Sequence, residues 1–181
     1  MYPVETINYW LSLGTIAMQV AGVVLLIVYF LRKRFPDLED IARMLGTWGL
    51  ALAFLTTLAG SALTLFYSEI LGIAPCSLCW LQRVFLYPQV VLFALAIWKK
   101  DSRAADYSIA LSLLGFVVAL YQHYLQMGGT SLVPCPATAD KAVDCSVRFL
   151  FEFNYITFPL MAATLFAFLI VLMLFVRRTS R

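Results

Sequence analysis

Five long stretches of the chain carry almost no charge and are separated by shorter polar segments: residues 10–31, 46–71, 80–98, 107–127 and 156–176. A helix needs about 20 apolar residues to cross the hydrocarbon core of a bilayer, and the stretches are of that length. They must be helices, because backbone facing lipid has to satisfy its own hydrogen bonds and the runs are too long and continuous for barrel strands. Small residues recur in two of them, Gly60, Ser61, Ala62 and Thr64 in the second and Ala110, Ser112 and Gly115 in the fourth, which predicts close contact between helices. Pro88 lies within the third stretch and Pro159 near the start of the fifth; a kink is expected at Pro88, where a backbone hydrogen bond is lost. The pattern therefore predicts an all-α integral membrane bundle without repeats or linkers. Its one sizeable hydrophilic segment is 128–155.

Composition and charge sharpen this picture. Of 181 residues, 62% are hydrophobic and 13% charged, against roughly 25% charged in an ordinary globular chain. Ten of the 13 Lys and Arg residues flank one set of span ends: Arg32, Lys33, Arg34 and Arg43, then Lys99, Lys100 and Arg103, then Arg177, Arg178 and Arg181. Only Lys141 and Arg148, with Arg83 just inside the third span, fall toward the other side. The positive-inside rule then places the N-terminus outside and the C-terminus in the cytoplasm. The net charge of +3 belongs to these flanks and gives no reason to expect nucleic-acid binding. The first stretch is not read as a cleaved signal peptide, since no basic residue precedes it and Arg32, Lys33 and Arg34 follow it.

The chemistry is concentrated in four cysteines, Cys76, Cys79, Cys135 and Cys145, all on the predicted outer face, where paired cysteines persist as disulfides. Two pairs on one side of a membrane can relay electrons, because a thiolate of one pair can attack a sulfur of the other. Cys76-Ser77-Leu78-Cys79 follows Pro75 and opens the third span, so at least one thiol sits at a helix N-terminus, where the backbone N–H groups favour a thiolate. Arg83 lies four residues beyond Cys79, about one turn along the same face. An arginine dipping into the bilayer edge is costly and usually functional, and here it would stabilise an anion beside Cys79. Cys135 stands between Pro134 and Pro136, in an extended segment suited either to docking on another protein or to an ordinary loop. His123, the single histidine, ends the fourth span at the predicted depth of Arg83, so the two could share a pocket for a lipid-soluble ligand with a polar head. Glu69 reads better as an interfacial carboxylate than as a proton acceptor. Trp80 and Tyr87 could touch a ring-shaped ligand. A structural zinc held by the four cysteines fits poorly with the Cys-x9-Cys spacing of the second pair, and a pair of inert structural disulfides leaves Arg83 unexplained.

Ser68-Glu69, Pro75-Cys76-Ser77-Leu78-Cys79-Trp80-Leu81-Gln82-Arg83 and Tyr87-Pro88 together resemble the signature of the DsbB/BdbC family of disulfide bond formation proteins. His123 followed by Leu125-Gln126, and the outer cysteine pair before Ile156-Thr157-Phe158-Pro159, extend the resemblance over the last four spans. It implies a four-helix transmembrane bundle in residues 46–181, with residues 1–45 adding an extra N-terminal transmembrane helix and a cytoplasmic loop. It also implies a thiol oxidase of the bacterial cytoplasmic membrane that reoxidises a DsbA-like thioredoxin-fold carrier and passes electrons to ubiquinone or menaquinone. By matching position, Cys135 would form the mixed disulfide with the carrier and Cys145 would attack Cys76. Cys79 would face the quinone, with Arg83 and His123 lining its site. The chain departs from the family pattern in its extra first span, in Leu81 where an aromatic is common, and in a short Cys135 to Cys145 loop. The rival readings are a quinone reductase of the vitamin K epoxide reductase type, whose quinone-proximal CxxC comes late in the bundle, and a membrane scaffold with structural disulfides.

Overall fold

The computed structural model describes residues 4–131 and 144–179. They form five helices, each long and apolar enough to span a membrane: α1 (Val4–Leu31), α2 (Pro36–Leu65), α3 (Ser77–Lys99), α4 (Ala104–Gln126) and α5 (Phe158–Thr179). No named strand occurs among the described residues; one isolated antiparallel bridge, Glu152 to Ile156, closes the loop before α5. The helix α2 begins about ten residues before the apolar stretch that predicts it. Pro36 starts it, Asp37 and Glu39 occupy its first turn, and both choices suit a helix N-terminus. Residues 36–45, expected as loop, are therefore helical, because the hydropathy pattern marks the part of a helix in hydrocarbon and not its extension into the interface. At its other end α2 continues into one π-helical turn, Phe66–Ile70.

The bundle is organised around α5, which packs against α4, α2 and α1. In its most apolar window 56% of the residues are buried, against 11% for α1, so α5 is the central helix and α1 a peripheral one facing mostly outward. Phe166, Leu169, Leu172 and Met173 of α5 meet Ala53 of α2, Leu86 and Phe93 of α3 and Ala105 of α4 in one core. Lipid is as apolar as this core, so small residues and cross-helix hydrogen bonds govern how the helices meet. A Cβ on Gly115 would stand 2.5 Å from Phe166 Cζ; only glycine lets α4 approach α5 this closely. Directly after Pro88, the fully buried Gln89 ties α3 to α4, accepting from Ser108 Oγ at 2.7 Å and donating to Ser112 Oγ at 3.2 Å. The helix α3 runs through Pro88 without interruption.

Polar side chains also dock α1. Gln19 Nε2 donates to Thr164 Oγ1 of α5 at 3.0 Å, and Tyr67 in the π-helical turn donates its hydroxyl to Asn8 Oδ1 at 2.5 Å. At the end of the bundle away from Cys76, Arg177 pairs with Asp106 at 2.9 Å and Arg178 with Glu39 at 3.4 Å. Both pairs are partly exposed and contribute little stability each, about 0–1 kcal/mol.

Candidate functional site

The CxxC motif sits where a helix begins, and its spacing is that of a capping interaction. Cys76 is the N-cap residue of α3, with extended backbone, and its sulfur accepts the backbone N–H of Cys79 at 3.3 Å. An N-cap side chain satisfies a donor two or three residues on, so capping by Cys76 brings the two sulfurs to 2.8 Å. Both are thiols in the structure, whereas Cys145 is disulfide-bonded. The hydrogen bond to Cys79 and then burial push the Cys76 thiol up from its ordinary range, so Cys76 holds its proton within the pair.

Gln122 of α4 faces both sulfurs, its Nε2 lying 3.1 Å from Cys76 Sγ and 3.2 Å from Cys79 Sγ. Gln82 of α3 donates to Gln122 Oε1 at 2.6 Å and so fixes which end of that amide meets the cysteines. One turn beyond Cys79, Arg83 is buried, its guanidinium carbon 5.1 Å from the centre of the Trp80 ring and its Nη2 donating to Thr64 O at 2.9 Å. Thr64 lies two residues before the π-helical turn, a kind of register change that recurs at functional sites.

Cys76, Cys79 and Arg83 open on one cavity of about 400 Å³. Its walls are largely apolar, built from Leu63, Leu86, Leu165 and Phe166, and α1 closes one side with Trp10, Leu11, Gly14, Thr15 and Met18. Polar groups converge at the cysteine end: Arg83, Gln82, Thr64, Tyr67 and Gln126. Gln126 donates to Val147 O at 3.0 Å, while its buried Oε1 has no hydrogen-bond partner among the described residues. A mostly apolar pocket with a few convergent polar groups suits a ligand with a polar ring and an apolar tail.

Among the expected site residues, the structure brings Cys76, Cys79 and Arg83 together. Cys145 joins them, packed in the same buried cluster as Cys76, its sulfur 3.7 Å from Ser77 Oγ. Cys135 lies outside the described residues. His123 does not line the cavity; its Nδ1 is 2.8 Å from Thr157 Oγ1, which also accepts the N–H of Leu160 at the start of α5. Glu69 is exposed and accepts from Ser68 Oγ at 2.9 Å. Tyr87 bonds the Thr64 hydroxyl at 2.8 Å, and Trp80 is half exposed against the Arg83 guanidinium. Sequence reasoning missed Gln82, Gln122, Tyr67 and the α1 wall. Among the described residues no three His, Cys, Asp or Glu side chains form a group that could hold a metal ion.

The comparisons with known proteins agree with this geometry. The family model "Disulfide bond formation protein DsbB" matches residues 42–176, a region that leaves α1 outside. A "SPbeta prophage-derived disulfide bond formation protein B" of Bacillus subtilis (strain 168) is 35% identical over 64% of this chain and 76% of its own length. A "Probable disulfide formation protein C" of Halalkalibacterium halodurans is 34% identical over 75% of this chain and 93% of its own. A "Probable disulfide formation protein" of Chlamydia trachomatis is 37% identical over 67% and 87%. No solved structure matches the chain. Membrane-length helices, a capped CxxC beside a buried arginine and a family match across four of the five helices lead to one assignment: this chain belongs to the DsbB family of disulfide bond formation proteins.

Proposed function

We propose that this multi-pass membrane protein serves disulfide bond formation by oxidising a DsbA-like thioredoxin-fold carrier and delivering the electrons to a membrane quinone, ubiquinone or menaquinone. The observation that carries the reading is the Cys76–Cys79 pair opening, with Arg83 one turn away, on an apolar cavity at the mouth of a helix. In the proposed sequence a carrier thiolate attacks Cys135 of an outer Cys135–Cys145 disulfide and frees Cys145 as a thiolate. Cys145 then attacks Cys76 of an inner disulfide and expels Cys79 as a thiolate, while the carrier's second thiol resolves its bond to Cys135 and leaves oxidised. The freed Cys135 thiolate attacks Cys145, re-forms the outer disulfide and releases Cys76, so that the inner pair holds the two electrons. The burial of Cys145 in the cluster that holds Cys76 supports the transfer between pairs. Gln122, held by Gln82, offers its amide hydrogens to the departing sulfur.

The residues present fit a quinone: Arg83 supplies a fixed cation, Gln82 and Tyr67 polar contacts, and the α1, α2 and α5 walls an apolar channel. When bound, a quinone supplies a two-electron, two-proton acceptor for re-forming the inner disulfide. Arg83 holds positive charge where negative charge would develop on the acceptor's oxygens. His123, anchored on Thr157, positions the start of α5, whose Phe158 and Pro159 line the cavity. The basic flanks support an orientation with the cysteine end outside the bacterial cytoplasmic membrane and the C-terminus in the cytoplasm.

The deciding experiment is anaerobic reduction of ubiquinone and of menaquinone by the purified protein with a reduced thioredoxin-fold carrier as donor. Catalytic turnover with either quinone is expected. Folded protein whose cysteines stay paired, with no turnover on either, would overturn the proposal in favour of a scaffold with structural disulfides. A second result should follow from the α1 wall. Gly14 lines the cavity, and a Cβ there would meet nothing within 4 Å, so Gly14→Phe should fill space needed by an apolar tail without disturbing packing. The KM for a long-tailed quinone should rise about tenfold, by the scale of apolar discrimination in a pocket. The KM for a tail-less analogue should change little, and the comparison of the two checks it.

A further inference from the structure

A second cavity, of about 250 Å³, lies at the opposite end of the bundle, bounded by the end of α1, the first turns of α2 and the last turn of α5. Arg32, Arg43 and Arg178 line it, and Glu39 is the carboxylate among its lining residues, which leaves a clear excess of positive charge. Arg32 is only 6% exposed. Its guanidinium carbon lies 3.8 Å over the Tyr29 ring and 6.0 Å from that of Phe175, contacts that cover the faces of the group and use none of its N–H donors. Its Nε and Nη1 are buried without a hydrogen-bond partner among the described residues, as is Nη1 of Arg178, whose Nη2 reaches Glu39 Oε1 at 3.4 Å. Buried donors left unmet are costly, most of all on a charged group. Their arrangement calls for an anion with several acceptor oxygens.

We propose that this cavity binds the phosphate of an anionic phospholipid. A guanidinium presents its donors as a fork that matches two phosphate oxygens, and Arg32 has two donors free to do so. Lipid is favoured over free phosphate by position. Arg32 is the first residue past the end of membrane-length α1, and Ile27 and Phe30 on the last turns of that helix are exposed apolar surface on which acyl chains can lie. The site stands apart from the thiol chemistry and does not depend on it.

The test is native mass spectrometry of the full chain released from nanodiscs of equal phosphatidylglycerol and phosphatidylcholine. Wild type should retain one phosphatidylglycerol in preference to phosphatidylcholine. Arg32→Gln should lower that retention about tenfold or more, as loss of a charge-assisted hydrogen-bond pair implies. Arg43→Gln, at the exposed rim, should lower it less while leaving the fold intact. Inorganic phosphate in large excess should not displace the lipid; if it does, the site takes a free anion and the lipid assignment falls. Equal retention of the two lipids by wild type overturns the proposal, and so does unchanged retention in Arg32→Gln. Should Arg32→Gln fail to fold, unchanged retention in Arg43→Gln overturns it equally.

Discussion

Cys79→Ser is expected to end steady-state turnover while leaving one round of carrier oxidation intact. A serine at position 79 cannot form the inner disulfide, so Cys145 has no disulfide to attack and electrons taken up by the outer pair have no onward path. A disulfide involving Cys145 can still take two electrons from one equivalent of reduced carrier. Mixing the variant with excess carrier should therefore give a single stoichiometric burst, with the quinone-coupled rate lowered at least about a thousandfold, as for loss of a reacting nucleophile. The fold should survive, because Gln122 keeps its partner Gln82 and the Cys76 thiol remains to cap α3. Loss of the burst together with turnover would show that the outer cysteines do not receive electrons from the carrier on their own.

The parts legible in the sequence are those that a bilayer or a helix end enforces locally. Five apolar runs must be five helices, and a CxxC after Pro75 must open one of them, with Arg83 a turn along the same face. Which face each helix turns inward was not legible, because core and lipid are equally apolar and no amphipathic stripe separates them. His123 shows the consequence. Neighbouring residues on a helix point about 100° apart, so Gln122 faces the cysteines while His123 bonds Thr157, a difference that depth along the span does not give. A signal for the missed residues did exist. Gln82, Gln122 and Gln126 are polar side chains in otherwise apolar spans, and such residues face the bundle interior and need partners. The α1 wall had no comparable signal, since Gly14 and Met18 read as ordinary lipid-facing residues until the cavity places them.

Arg83→Gln should separate the two halves of the reaction. The guanidinium is fixed by Thr64 O on one side and stacked on Trp80 on the other, so it needs little reorganisation to meet charge developing in the cavity. Removing one such preorganised donor typically lowers kcat about 10²–10³-fold, and that loss is expected in quinone-coupled turnover. In the proposed sequence the exchange from Cys145 to Cys76 uses the cluster with Leu125 and needs no group on the acceptor, so the burst of carrier oxidation should keep its wild-type rate. Arg83→Lys should recover part of kcat, because it restores the charge but not the planar group that stacks and forks. If both the burst and the turnover fall together in Arg83→Gln, the arginine acts by tying α3 to the end of α2 through Thr64. The charge then serves the fold, and the stabilisation of the acceptor must come from Gln82, Tyr67 and the amide hydrogens of Gln122.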